Sequence, residues 1–243
     1  MDLTGRNALV TGGAKRVGRA LSLALARAGA NVFVHYGSST RDAERTVDDI
    51  KACGVRSACG SANLGDPTTA AALVAAATEA LGPISVLVNS ASGFPDDTLE
   101  TATLDGWRAA YDVTLTSPVF LTQAFAATLP GDLDGGVVNV TDVRTMTPYK
   151  KHFSYVVAKG GIDAFTRAAA VALAPRIRVN AVALGVILPP PSEGESYAAQ
   201  LAAEIPLARV GGVDPVTQAA VALLENDFVT GEILRVDGGG HLG

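Results

Sequence analysis

Apolar residues along this chain gather in short unbroken runs rather than in alternation. The runs recur at Ala8–Thr11, Val32–His35, Val55–Ala58, Val86–Asn89, Val137–Thr141, Val179–Ala183 and Ile233–Val236. A strand buried on both faces reads this way, because neither face has to meet water. Between most of the runs lie longer stretches whose apolar positions return every three or four residues: Arg16–Ala28, Arg41–Ala52, Thr68–Leu81, Leu104–Thr128 and Tyr155–Ala174. These predict helices with one apolar face. Strand and helix in alternation predict a doubly wound α/β fold, a parallel sheet with crossover helices on both faces. Gly29, Gly54 and Gly82 follow the first three helices, where a left-handed C-terminal cap is expected. The segment from Gly185 to about Ser196 is irregular and contains Pro189, Pro190, Pro191 and Gly194. Three successive prolines cannot continue a helix or a central strand. A substrate-covering loop is therefore expected after the sixth strand, across 185–206.

The 243 residues, 48% apolar and 5% aromatic, suit one large α/β domain spanning 1–243. A net charge of −5 with no basic stripe speaks against nucleic acid as a partner. No stretch approaches the roughly 18 uninterrupted apolar residues of a membrane helix. The opening residues carry no apolar segment behind a basic start, so no secretory signal is read there. Cys53 and Cys59 lack a second pair or a nearby His. No metal site is expected, and two free thiols fit a reducing, cytoplasmic setting.

The first run leads straight into Gly12-Gly13-Ala14-Lys15-Arg16-Val17-Gly18 and then into the first helix. A strand, a glycine turn and a helix N-terminus make an anion site, since backbone N–H groups point at the phosphate and small residues let the backbone come close. Lys15, Arg16 and Arg19 crowd the first turn of that helix. Cations there oppose the helix dipole by roughly 0.3–1 kcal/mol each, a cost that a bound phosphate offsets. The second strand ends His35-Tyr36-Gly37-Ser38-Ser39, with no acid before Asp42. Sites that bind the 2′-hydroxyl of NAD place an acid at that point. Neutral residues with Arg16 nearby favour a 2′-phosphate instead, hence NADP(H).

Tyr155 and Lys159 open the last long helix one turn apart on one face. A free Tyr has a pKa near 10, and a neighbouring ammonium is expected to lower it. Such a phenol can hand a proton to a substrate atom that receives hydride.

With these residues stand Asn89-Ser90-Ala91, Arg178-Val179-Asn180-Ala181-Val182 and Thr230-Gly231, then Val236-Asp237-Gly238-Gly239. Together the segments resemble the short-chain dehydrogenase/reductase family from end to end. The resemblance implies a seven-stranded Rossmann sheet of order 3-2-1-4-5-6-7 and a homotetramer or homodimer built on the long fourth and fifth helices. It implies cofactor contacts from Gly12, Lys15, Arg16, Val17 and Gly18, from His35, Tyr36, Ser38 and Ser39, and from Asn63, Leu64, Asn89, Ser90 and Ala91. Gly185, Ile187, Tyr155 and Lys159 complete that set.

Departures narrow the likeness. Where many members carry Ser thirteen residues before the catalytic Tyr, this chain has Asp142. An Asp, Tyr and Lys set resembles the pteridine reductases, as do Arg16 in place of the middle glycine and Ser90-Ala91-Ser92-Gly93-Phe94. That likeness implies Asp142, Tyr155 and Lys159 as catalytic residues, and Ser92, Phe94, Asp142 and Tyr155 as substrate contacts. Thr114 stands where the family often has an Asn that holds water, Asn63 where an Asp meets adenine, and Leu184 where a Pro precedes Gly185. Three functions stay open: NADPH-dependent reduction of a pterin or folate C=N bond, reduction of a carbonyl such as a 3-oxoacyl thioester, and a non-catalytic NADP(H)-binding sensor.

Overall fold

The computed structural model describes residues 1–189 and 195–242. Its strands are β1 (Asn7–Val10), β2 (Asn31–Tyr36), β3 (Ser57–Ser61), β4 (Val86–Asn89), β5 (Gly135–Asp142), β6 (Ile177–Leu184) and β7 (Ile233–Val236). All pairings are parallel, in the order β3-β2-β1-β4-β5-β6-β7. The helices are α1 (Arg16–Arg27), α2 (Thr40–Lys51), α3 (Ala70–Leu81), α4 (Leu104–Tyr111), α5 (Ser117–Thr128), α6 (Phe153–Leu173), α7 (Glu195–Ala203) and α8 (Asp214–Glu225). The doubly wound sheet and its strand order are those expected.

The apolar runs divide between two cores by parity, because successive strand side chains point to opposite faces. Val10, Val34, Val88 and Val138 pack with Leu21 and Leu25 of α1, Val47 and Ile50 of α2, and Val216 and Leu224 of α8. Leu9, Phe33, Leu87 and Val137 face the other way, onto Leu73 and Val74 of α3, Leu121 and Phe125 of α5, and Ala169 and Ala170 of α6. Each such buried Val, Leu, Ile or Phe contributes about 1.5–3 kcal/mol. The sheet is thus filled from both sides.

Four elements differ from expectation. Strand β3 begins two residues later than the apolar run at Val55, because Asn31 Oδ1 accepts the N–H of Arg56 at 2.9 Å and fixes the pairing of Val32 with Ser57. The edge strand needs small residues: a Cβ on Gly60 would sit 2.7 Å from the Phe33 ring. The helix expected over Leu104–Thr128 is interrupted by a π turn at Asp112–Thr116. In the segment expected as a loop, α7 covers Glu195–Ala203, whereas Pro190, Pro191 and Gly194 lie outside the described residues. Helix α8 is not anticipated from the pattern at all. Its Pro215 reads as a breaker, yet it occupies the first turn, where a missing N–H costs nothing. Gly29, Gly54 and Gly82 do carry positive φ, at 89°, 87° and 93°.

The sheet centre also holds a polar chain. Asn89 on β4 donates through Nδ2 to Asn139 Oδ1 at 2.8 Å, and Asn139 Nδ2 donates to Thr166 Oγ1 at 2.9 Å. Removing one partner of a buried pair leaves the other desolvated and unmatched, at about 1–3 kcal/mol. We expect Asn139→Leu to lower the unfolding free energy by about 1–3 kcal/mol, measured as a shift in urea midpoint at constant slope.

Candidate active site

The carboxyl ends of β1, β4, β5 and β6 meet where the strand order reverses beside β1, the place where open α/β sheets form their ligand crevice. At the end of β1 the chain turns sharply at Gly12, with φ +62°. A Cβ there would come 3.1 Å from Ala91 Cα, and one on Gly18 would come 2.1 Å from the Gly12 carbonyl oxygen. Only glycines allow this approach. Thr11 Oγ1 accepts the N–H groups of Ser90 and Ala91 at 3.0 and 3.1 Å, which binds the exit of β4 to the turn. Helix α1 starts with no side-chain cap and no acid in its first turn, so nothing of its own neutralises those N–H groups.

His35 lies within the fold, 2% exposed. The Gly12 N–H donates to its Nδ1 at 3.1 Å, so Nε2 carries the proton and donates to Ala62 O, also at 3.1 Å. Burial holds its pKa below the usual imidazole value. Both ring nitrogens are engaged by backbone, and the side chain expected at the cofactor instead braces the turn from behind.

The cations part ways. Arg16 is left-handed, with φ +50°, a conformation that costs a residue with a side chain roughly 1–2 kcal/mol. Its guanidinium Nη2 donates to Leu188 O and Pro189 O at 3.4 and 3.2 Å, on the far side of the crevice. Lys15 Nζ pairs with Asp42 at 2.8 Å, in the first turn of α2. Lys15 thus reaches the first turn of α2, as Arg45 also does, while Arg16 reaches across the crevice. Arg19 turns to Asp49 at 2.6 Å. Tyr36 is half-buried at the end of β2, Ser38 is exposed and Ser39 is half-buried.

At the end of β5, Asp142 Oδ2 accepts the Tyr155 hydroxyl at 2.8 Å, and its Oδ1 accepts the Arg144 N–H at 2.9 Å. Lys159 Nζ donates to Val140 O at 2.5 Å. Thr141 Oγ1 donates to Asp163 Oδ1 at 2.6 Å. Burial lowers the Lys159 pKa to about 8, opposed by the negative charges of Asp142 and Asp163. Tyr155 moves the other way. Burial first, then the charge and hydrogen bond of Asp142, push it well above its ordinary value. This reverses the expectation from sequence, and the reason is distance and company: the ammonium is 5.6 Å from the phenol ring centre, while a carboxylate touches the hydroxyl. The phenol is held protonated.

Phe94, 57% exposed, stacks on His152 with centroids 3.9 Å apart and meets Tyr155 edge-on at 4.7 Å. Thr114, buried in the π turn, accepts the N–H of Gly93 at 3.2 Å and so anchors the segment that carries Phe94. A cavity of about 430 Å³ opens beside Asp142, bounded by Arg144, Tyr149, Gly185, Leu201, Glu204 and Asp237. A larger one, about 760 Å³, lies between β7 and α8 and is not lined by Asp142 or Tyr155. We place the chemistry beside the smaller, since Asp142, which accepts the Tyr155 hydroxyl, lines it.

Gly185 packs so closely on Asp237 that a Cβ would come 2.5 Å from the Asp237 Cβ. Asn63 and Ser92 are exposed, Asn63 with its Oδ1 on the Gly65 N–H. Leu64 and Ile187 are buried, and Val17 is partly so. Sequence reasoning missed His152, Tyr149, Arg144 and Asp97, which accepts the Ser154 N–H at 3.2 Å at the start of α6. Tyr149 and His152 do stand six and three residues before Tyr155, a signal that spacing could have supplied.

Comparison with known proteins identifies the family of this fold. The family model described as enoyl-(acyl carrier protein) reductase, a model of short-chain dehydrogenases/reductases, matches residues 12–241. A 3-oxoacyl-[acyl-carrier-protein] reductase of Synechocystis sp. is 34% identical over 98% of this chain and 97% of its own. The crystal structure of FolM alternative dihydrofolate reductase 1 from Brucella canis, complexed with NADP, superposes with a TM-score of 0.93 at 35% identity, over 100% of this chain and 97% of that one. A blue fluorescent protein from a metagenomic library, in complex with NADPH, gives 0.90 at 30% identity, over 99% of both chains. The chain belongs to the short-chain dehydrogenase/reductase family of oxidoreductases.

Proposed function

We propose that this protein is an NADPH-dependent reductase that delivers hydride to the C=N bond of a pterin or folate-type ring. The observation that carries the reading is the Tyr155 hydroxyl on Asp142 Oδ2, with the exposed ring of Phe94 set edge-on beside it. The cofactor is NADP(H), as in the solved relatives. The residues fit such a group. Gly12 and Gly18 leave a bare backbone surface at an uncapped helix start. Asn89 Oδ1, buried at the end of β4, has no hydrogen-bond partner among the described residues. Gly12, Gly13 and the first turn of α1 would hold the pyrophosphate, and Lys15, Ser38 and Ser39 the 2′-phosphate.

Bound NADPH supplies the hydride. Tyr155, the acid, gives its phenolic proton to the substrate nitrogen next to the carbon reduced. Asp142 orients that O–H group. The Lys159 ammonium, buried beneath, offsets the negative charge left on the phenol as the proton leaves. Phe94 offers a ring face to a flat heterocycle, worth about 0.5–1.5 kcal/mol beyond burial. Phe120 on α5 is 43% exposed and Val171 on α6 is 83% exposed, which supports a homotetramer or homodimer assembled through those helices.

A 3-oxoacyl thioester reductase is the second reading, favoured by the Synechocystis relative's name. NADPH oxidation against dihydropterin, dihydrofolate and acetoacetyl thioesters decides between them. We expect turnover on the first two, and a fall of about 100-fold or more in Tyr155→Phe, the usual scale for a lost general acid. Turnover confined to thioesters would sink the pterin reading, and tight NADPH binding without turnover would favour a sensor.

Lys15→Ala is expected to weaken NADPH about tenfold more than NADH, as loss of one charge-assisted contact does. Arg16→Ala should leave that ratio nearer the wild-type value. Fluorescence titration with both cofactors checks the pair.

Lys159 carries a pH signature. Its folded pKa of about 8 lies below the ordinary 10.5, so between those values the unfolded chain binds more protons. Stability from this group therefore rises as the pH climbs from about 8 towards 10.5, and a penalty of about 3 kcal/mol is in full force below that window. Lys159→Met should unfold at higher urea than wild type at pH 7, with the gap narrowing at pH 10.

A further inference from the structure

The wall of the substrate cleft does not end at Phe94. Phe94 stacks on His152, His152 meets the edge of Tyr149 with centroids 5.7 Å apart, and the Arg144 guanidinium carbon sits 4.9 Å from the centre of the Tyr149 ring. His152 is fixed in this row by its left-handed backbone, φ +56°, and by a 2.6 Å contact of Nδ1 with Pro95 O. The row starts beside the Tyr155 ring and ends on a cation. It is a continuous strip of ring faces and edges with one positive charge at its outer end.

Arg144 is held there from both directions. Its backbone N–H is bonded to Asp142 Oδ1, the same carboxylate that receives the Tyr155 hydroxyl. Its side chain makes one long bond, from Nη1 to Thr147 O at 3.4 Å. A guanidinium has five donors in a flat fork matched to a carboxylate, and among the described residues no acid lies within ion-pair distance of this one. Among the described residues, three carboxylates share its cavity. Asp142 is bonded to Tyr155, Asp237 is bonded to His241 and to the Gly239 N–H, and Glu204 is exposed. Among the described residues that line this cavity, Arg144 is the one Lys or Arg.

We propose that Arg144, steadied over Tyr149, is a carboxylate-binding subsite at the outer end of the cleft. Its ligand is the acidic tail of the substrate, so the preferred substrate is a conjugated, tail-bearing folate rather than a bare pterin. The inference rests on the pterin-type reading of the site. It adds the part of the substrate that the reaction centre does not touch. The aromatic row between Phe94 and Arg144 suits the aryl group that joins such a ring to such a tail.

The test uses three compounds with the full-length protein and NADPH: dihydrofolate, its diamide with both tail carboxyls amidated, and dihydropterin. In wild type, KM for dihydrofolate is expected about tenfold below that for the diamide, the scale of one charge-assisted pair. Added salt should narrow that gap. Arg144→Gln should abolish it, and Arg144→Lys should retain part of it. Turnover of dihydropterin by each variant shows that the reaction centre is folded. Equal KM for acid and diamide in wild type overturns the subsite, as does Arg144→Gln raising both equally. Failure to reduce any of the three overturns the pterin reading itself, a different result from reduction without discrimination.

Discussion

Four successive residues at the end of β5 are each tied to α6, and the site depends on that seam. Asn139 donates to Thr166, the Val140 carbonyl accepts from Lys159, Thr141 donates to Asp163, and Asp142 accepts from Tyr155. A strand presents alternate residues to opposite faces, but Val140 joins through its carbonyl oxygen rather than its side chain, and Asp142 sits at the strand end. All four can therefore reach one helix. The seam sets the helix's rotation and its position along the strand. It also puts a buried ammonium under a buried phenol. A charge withdrawn from water must find partners or lose its proton; here Val140 O and the charges of Asp142 and Asp163 hold Lys159 partway.

The opposite wall obeys a steric constraint. The backbone at Gly12 has to pass close to Ala91 and to the start of α1, and it is clamped by Thr11 on one side and His35 on the other. Arg16 accepts a left-handed backbone to remain in that turn, and its guanidinium then reaches the segment after β6. The strained residue thus links the turn to the far rim of the crevice. Lys15, one position earlier, goes to α2. Two adjacent cations reach different neighbours, α2 and the segment after β6, because the turn sends consecutive side chains in divergent directions.

Between these walls the π turn at Asp112–Thr116 does local work. One additional residue in a helical turn buries Thr114 and turns its hydroxyl to the Gly93 N–H. This fixes the segment that carries Phe94. π turns in otherwise α-helical stretches commonly occur at functional sites, and this one orients the first ring of the aromatic row.

The sequence by itself determined the sheet, its order through the family resemblance, the glycine turn, and the pairing of Tyr155 with Lys159 on one helical face. The strands, the glycine turn and the Tyr155–Lys159 pair rest on local periodicity and spacing, which the order of residues carries directly, whereas the strand order came from the resemblance alone. It could not announce β3 beginning at Ser57 or α8 behind Pro215, since one depends on a side chain from a neighbouring strand and the other on position within a helical turn. Nor could it tell which neighbours Lys15 and Arg16 reach, that His35 is turned inward, or that Tyr155 is held protonated rather than eased towards phenolate. Tertiary structure decided these, because they depend on distances between residues far apart in sequence and on how much water remains around each charge.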